Sequence, residues 1–113
     1  MLGLGVNGHL GMNEPGSSPD GRTARVELAD STIEGARRYF SGRHRPTWGL
    51  TVGLGDLLRA SEVWVLAAGP TKTDIVARSL QGPVDTDVPA SLLQDHPNCT
   101  WWLDPPAAPN LQV

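Results

Sequence analysis

A single cysteine, Cys99, and a single lysine, Lys72, stand among 113 residues. One cysteine excludes an internal disulfide and fits a reducing compartment, so a cytoplasmic location is expected. No apolar run approaches the roughly 20 residues needed to cross a membrane, and no membrane partner is expected. No basic segment precedes a long apolar stretch at the start, so no secretory signal is expected either. Nine Lys and Arg face twelve Asp and Glu, a net charge of -3, which argues against nucleic acid as a partner. Hydrophobic residues still make up 39% of the chain, too many for a disordered tail. The length fits at most one small domain.

Glycine and proline are abundant, 13 and 10 residues, about twice their average usage. The glycines follow no period of three, which excludes collagen. Six of them, Gly3, Gly5, Gly8, Gly11, Gly16 and Gly21, fall within the first 21 residues. The chain therefore opens on a glycine-rich loop, preceded by residues 1–6 that read as the end of a buried strand. A strand with no lead-in suggests that an upstream portion of the domain lies outside this chain.

Further elements follow. Residues 25–28 alternate as a short strand. Asp30, Ser31 or Thr32 can cap a helix running to about Phe40, broken by a basic loop at Arg43, His44 and Arg45. Residues 48–52 read as a strand, Gly53, Leu54 and Gly55 as a turn, and 56–60 as a short helix. Residues 62–68 form the strongest strand, apolar on both faces as a central parallel strand should be. A helix starts near Lys72 and ends at Gly82 and Pro83. Residues 88–94 read as a short helix and 100–103 as a last strand. The tail, 105–113, reads as a loop or frays. Strands alternating with helices predict an α/β fold with a Rossmann-like parallel sheet flanked by helices. Ligands then sit beyond the carboxyl ends of the strands, which points to loops 5–21, 53–56 and 69–72.

The stretch from Gly5 to Pro15 concentrates the chemistry. It places Asn7, His9, Asn13 and Glu14 within eight positions after a strand. His9 can titrate near neutrality and shuttle a proton, and Glu14 can orient it. The spacing of Gly3, Gly5 and Gly8 also matches a dinucleotide fingerprint, but no long helix follows and no acidic ribose partner is placed. His9, His44, His96 and Cys99 lack the spacing of a zinc site, and neither metal nor cofactor is expected. Cations near a helix end complement its dipole, which accounts for one of Arg37 and Arg38; the other can reach an anion. Lys72 sits after the buried strand at a helix start, where an incoming phosphate would offset its conflict with the dipole. Trp64, Trp101 and Trp102 read as core, and Cys99 as a buried apolar residue without an activating neighbour.

Residues 2–15 resemble the signature loop of the glucosamine-6-phosphate deaminase/isomerase family. The resemblance continues through Arg37-Arg38-Tyr39-Phe40, residues 49–58, residues 62–66, Lys72 and residues 91–97. It covers almost the whole chain in the family's order, and only that family's C-terminal half. It implies an enzyme converting an amino-sugar 6-phosphate to a ketose 6-phosphate and ammonia, with a small sugar phosphate as partner and an oligomer possible. By the same resemblance His9 assists opening of the pyranose ring and Glu14 hydrogen-bonds and tunes it. Arg38, on a mobile lid, and Lys72 bind the phosphate. Asn7 stands where the deaminases usually carry an aspartate, which should lower the basicity of His9. Asn7, together with Leu10-Gly11-Met12 ahead of Asn13-Glu14-Pro15, is shared with relatives assigned to galactosamine 6-phosphate, so the resemblance implies either epimer as substrate. Ala24 and Val26 replace basic residues of the family's activator site, so no such site is expected.

The family's proton-shuttling aspartate and a Ser-Gly-rich phosphate loop lie upstream of this motif. Residues 1–113 are thus expected to be the C-terminal portion of the domain, a truncated form with little turnover alone. A 6-phosphogluconolactonase-like hydrolase is the alternative enzyme on a similar fold. Asn13-Glu14-Pro15 and the lack of a Ser-Leu-Phe-Pro type continuation point away from it. A non-catalytic sugar-phosphate binding remnant is the alternative outside enzymes; no helix-turn-helix with a basic face is visible.

Overall fold

The computed structural model describes residues 1–40 and 44–112. Arg43 of the expected basic loop lies outside the described residues. In chain order the elements are β1 (Leu2–Gly3), β2 (Ala24–Glu27), α1 (Asp30–Gly35), β3 (Trp48–Thr51), α2 (Leu54–Leu58), β4 (Val63–Ala67), α3 (Thr73–Gln81) and β5 (Cys99–Leu103). Short 3-10 turns cover Arg37–Tyr39, Pro70–Lys72, Pro89–Asp95 and Pro105–Ala107.

β4 is the centre of a three-stranded parallel sheet, in the order β1-β4-β5. Leu2 pairs with Val65 on one side, and Val65 with Trp101 on the other. The fold is therefore α/β with a parallel sheet, as the alternation of strands and helices predicts. β2 and β3 depart from that expectation. They pair antiparallel in a separate two-stranded ribbon, with Arg25 opposite Leu50. Their alternation gave the strand type but not the partner, because pairing depends on what the intervening segment does.

The core explains the layers. Val63, Val65 and Ala67 of β4 point to one side and meet Ile75 and Val76 of α3, with Leu4, Leu10, Leu54, Val88, Ala90 and Leu93 completing the cluster. Trp64 and Leu66, between them on β4, are each 42% exposed, and Trp102 of β5 is 55% exposed. Trp64 and Trp102 meet edge to face, with ring centroids 5.9 Å apart. The two-sided apolar pattern of β4 thus corresponds to one covered face and one open face. The expectation that all three Trp64, Trp101 and Trp102 are core is corrected: only Trp101 packs against the cluster.

Two further boundaries shift for physical reasons. Leu54 is fully buried, and it draws the start of α2 back to itself, so Leu54 and Gly55 belong to the helix and not to a turn. The stretch after β5 does not fray. The Asp104 carboxylate accepts from the amides of Gly69 and Ala107, and Ala107 is fully buried. Gln81 and Gln112 exchange hydrogen bonds that hold the later residues to α3.

One core atom stands out. The hydroxyl of Ser79, on the buried face of α3, has no hydrogen-bond partner among the described residues. An unpaired buried hydroxyl costs about 1–3 kcal/mol, whereas alanine at the same place carries none of that cost. Ser79→Ala should therefore raise stability by about 1 kcal/mol in urea unfolding. A loss of stability of that size would mean that the hydroxyl is satisfied.

Candidate active site

β1 ends at Gly3, and the chain turns at once. Gly8 N–H donates to Gly5 O at 3.0 Å and Gly5 N–H to His9 O at 3.0 Å, closing a tight loop. Gly8 has φ +86°, a conformation that favours glycine. A Cβ on Gly5 would fall inside the His9 ring, so only glycine lets the imidazole lie flat on the backbone. The loop is then fastened to β3. Met12 N–H donates to Thr51 Oγ1 at 3.0 Å. The buried Asn13 amide donates to the carbonyls of Leu10 and Val52 at 2.8 and 2.9 Å. The antiparallel ribbon, which sequence patterning did not predict, is therefore one anchor of the loop, and the Ala90 N–H to Gly8 O bond at 2.9 Å is another.

His9 and Glu14 come together as the sequence suggested. His9 Nδ1 lies 3.2 Å from Glu14 Oε1 and 2.7 Å from Asn7 Oδ1. Both partners are acceptors, so the proton belongs on Nδ1. Nε2 has no partner among the described residues and carries the lone pair. Asn7 also accepts from the His9 amide at 3.2 Å and donates from Nδ2 to Ser31 Oγ at 2.9 Å, which fixes which way its amide points.

Burial is the largest influence on the His9 imidazole and pushes its pKa below the ordinary value. Glu14 opposes this, and Lys72 adds to it. His9 is therefore neutral at pH 7. Because the folded pKa is depressed, His9 resists protonation in the fold. Its contribution to stability is present above about pH 6.5 and is lost as pH falls towards the folded value.

Thr32 was missed as a site residue. Its hydroxyl lies 2.8 Å from both Glu14 oxygens and 3.3 Å from His9 Nδ1. The Ala29 amide donates to Glu14 Oε2 at 2.6 Å. Asp30, Ser31 and Thr32 were expected to supply a helix cap. Instead Ala29 precedes α1 with no side-chain cap, and Ser31 and Thr32 turn to Asn7 and Glu14. A short polar residue just before a helix looks the same in sequence whether it caps or reaches elsewhere.

Arg38 and Lys72 line the same cavity as His9, of about 380 Å³, together with backbone of the Gly3–Gly5 stretch, Thr32 and Tyr39. No carboxylate among the described residues lines it. Arg38 is exposed, stacks on Tyr39 and hydrogen-bonds its hydroxyl at 2.9 Å. Arg37 instead pairs with Glu34 at 2.8 Å, a partner the sequence reading did not name. Lys72 Nζ donates to the Leu4 carbonyl at 2.6 Å, across 68 residues of chain. Burial first, and Arg38 second, push the lysine pKa down. Two cations sharing one cavity without a carboxylate form a place for an anion. Lys72 closes a 3-10 turn, and α3 begins after it at Thr73. Cys99 is half-buried, and burial pushes its thiol pKa up, against a smaller opposing effect of Trp101.

The electrostatics of His9 can be tested directly. Its ring should titrate by NMR with a midpoint below the ordinary histidine value. Asn7→Asp should raise that midpoint, because a carboxylate at Nδ1 favours the imidazolium. An unchanged midpoint in the variant would separate Asn7 from the histidine.

No protein-family model matches the chain. A glucosamine-6-phosphate deaminase of Rhodopirellula baltica is 46% identical over 109 residues, 96% of this chain and 43% of its own length. That of Streptococcus thermophilus is 44% identical over 112 residues, 98% of this chain and 48% of its own. The chain thus spans a little under half the length of these relatives. A monomeric glucosamine-6-phosphate deaminase of known structure superimposes with a TM-score of 0.90 at 37% identity, over 94% of this chain and 44% of that one. A 6-phosphogluconolactonase of Trypanosoma brucei shares the fold with a TM-score of 0.72 at 24% identity, over 98% of this chain and 41% of that one. In sequence and in fold, the chain belongs to the glucosamine-6-phosphate deaminase family and corresponds to its C-terminal half.

Proposed function

We propose that these residues form the ring-opening and phosphate-binding part of an amino-sugar 6-phosphate isomerase/deaminase. The observation that supports this best is the His9 ring, with Nδ1 against Asn7 Oδ1 and Glu14 Oε1, on the wall of a cavity that also carries Arg38 and Lys72. Arg38 and Lys72 would hold the phosphate; Arg offers a forked set of donors and Lys a point charge. A dianion there offsets the repulsion between the two cations. His9 Nε2 would take the proton of the C1 hydroxyl and return it to the ring oxygen as the C1–O5 bond breaks. Glu14 and Asn7 keep the ring tautomer that makes this possible. Moving a proton from C2 to C1 then turns the open aldose into an imine, and its hydrolysis releases ammonia. That transfer needs a base at the cavity, and no carboxylate among the described residues lines it. Residues 1–21 act as the loop that carries the histidine, within the C-terminal portion of a sugar-phosphate isomerase domain.

The relatives named glucosamine-6-phosphate deaminase support this substrate class. The 6-phosphogluconolactonases share the fold alone at their lower identity. Glucosamine 6-phosphate and galactosamine 6-phosphate are the ligands to try, with calorimetry for binding and an ammonia assay for turnover. Lys72→Ala should weaken binding about tenfold or more, the scale of one lost charged hydrogen bond. His9→Gln should leave binding within about twofold and cut ammonia release wherever the parent shows it. Binding without turnover supports a non-catalytic sugar-phosphate binder. Binding of neither sugar phosphate would overturn the proposal.

A further inference from the structure

The segment that carries Arg38 is held by polar contacts. α1 has no fully buried residue, and its Ile33 does not join the core cluster. Its ties to the His9 loop are hydrogen bonds: Asn7 to Ser31 at 2.9 Å, Ala29 to Glu14 at 2.6 Å, and Thr32 to Glu14 at 2.8 Å. Arg38 follows directly in the next 3-10 turn, Arg37–Tyr39. Two of the three ties therefore end on Glu14, the same carboxylate that accepts from His9.

Among the described residues, Thr32 is the one side chain of this segment that touches both members of the His9–Glu14 pair. A hydroxyl has one proton and two lone pairs. With both Glu14 oxygens at 2.8 Å, the proton goes to the carboxylate, and a lone pair faces His9 Nδ1 at 3.3 Å. The Nδ1 proton then sees only acceptors. We propose that Thr32 is a positioning residue that couples the two parts of the site. Its hydroxyl holds Glu14 against His9, and through the same bond it sets the placement of the segment carrying Arg38. Phosphate capture and the seating of the His9 ring are thereby linked through one carboxylate. This deepens the proposed function, and only the ligand arm of its test depends on that reading.

Thr32→Val keeps the shape and removes the hydroxyl; Thr32→Ser keeps the hydroxyl. Both are made in the full 113-residue chain. Thr32→Ala gives the same readouts should the valine variant not fold. Ring nitrogen shifts of His9 report its contact with Glu14, and amide exchange at Ala29 reports how firmly the segment is held. The valine variant should move the His9 Nδ1 resonance as Glu14 loosens from the ring, with Asn7 still accepting from Nδ1–H, and should exchange the Ala29 amide about tenfold faster, the scale of a lost hydrogen bond to a charged group. It should weaken glucosamine 6-phosphate binding about tenfold, and serine should restore all three readouts to within about threefold of the parent. Shifts in the His9 resonance and in exchange without sugar-phosphate binding by any variant support the positioning role and remove the proposed function. A valine variant with unchanged His9 resonances and unchanged Ala29 exchange would overturn the proposal.

Discussion

The Glu14 carboxylate is the constraint around which the site is arranged. It is nearly buried, its side chain 11% exposed, and a carboxylate taken out of water must be matched by donors or it costs several kcal/mol. Its donors come from two separate parts of the chain. The Ala29 amide and the Thr32 hydroxyl reach it from one, and the His9 ring from the other. Satisfying one charge therefore brings the glycine-rich loop and the arginine-bearing segment together. The glycine at position 5 is part of the same solution, since a side chain there would displace the ring that Glu14 meets.

Much of this was legible in the sequence, and the rest was hidden for identifiable reasons. β4 carries a continuous apolar run and α3 a helical spacing of apolar residues, and both lie where patterning put them. His9 and Glu14 were legible because five residues of glycine-rich loop keep them near one another. Thr32 was not, because its contact spans 18 residues and its place at the start of a helical stretch suggested a cap. The antiparallel pairing of β2 with β3 was hidden for a similar reason: a strand's pattern shows which face is buried and says nothing of its neighbour. The open face bearing Trp64, Leu66 and Trp102 was read as core because an apolar residue looks the same on a covered and an uncovered face.

Lys72 shows how a local argument can reach a sound position by an incomplete route. From sequence, its interest was a cation set against a helix dipole. In the fold it precedes α3, and its ammonium is tied to the Leu4 carbonyl of the loop beside β1. That bond spans the gap between the first and second parallel strands of the chain, next to the His9 loop. One donor is committed to the fold, while burial and Arg38 both lower the lysine's hold on its proton. An ammonium in that state gains from an anion more than a solvated one does, because an anion relieves both penalties at once.

Asn7 completes the electrostatic argument. An aspartate in its place would give His9 the same acceptor geometry with a full negative charge, and the imidazolium would be favoured. Asn7 supplies the acceptor at 2.7 Å without the charge, and its amide points outward to Ser31. Glu14 is then the one anion at Nδ1, and burial together with Lys72 outweighs it. The outcome is an oriented but neutral imidazole with a free Nε2 lone pair, which is the form a proton acceptor needs at neutral pH. Orientation and protonation are usually set by the same carboxylate. Here they are divided, with Asn7 and Glu14 fixing the ring and desolvation fixing its charge.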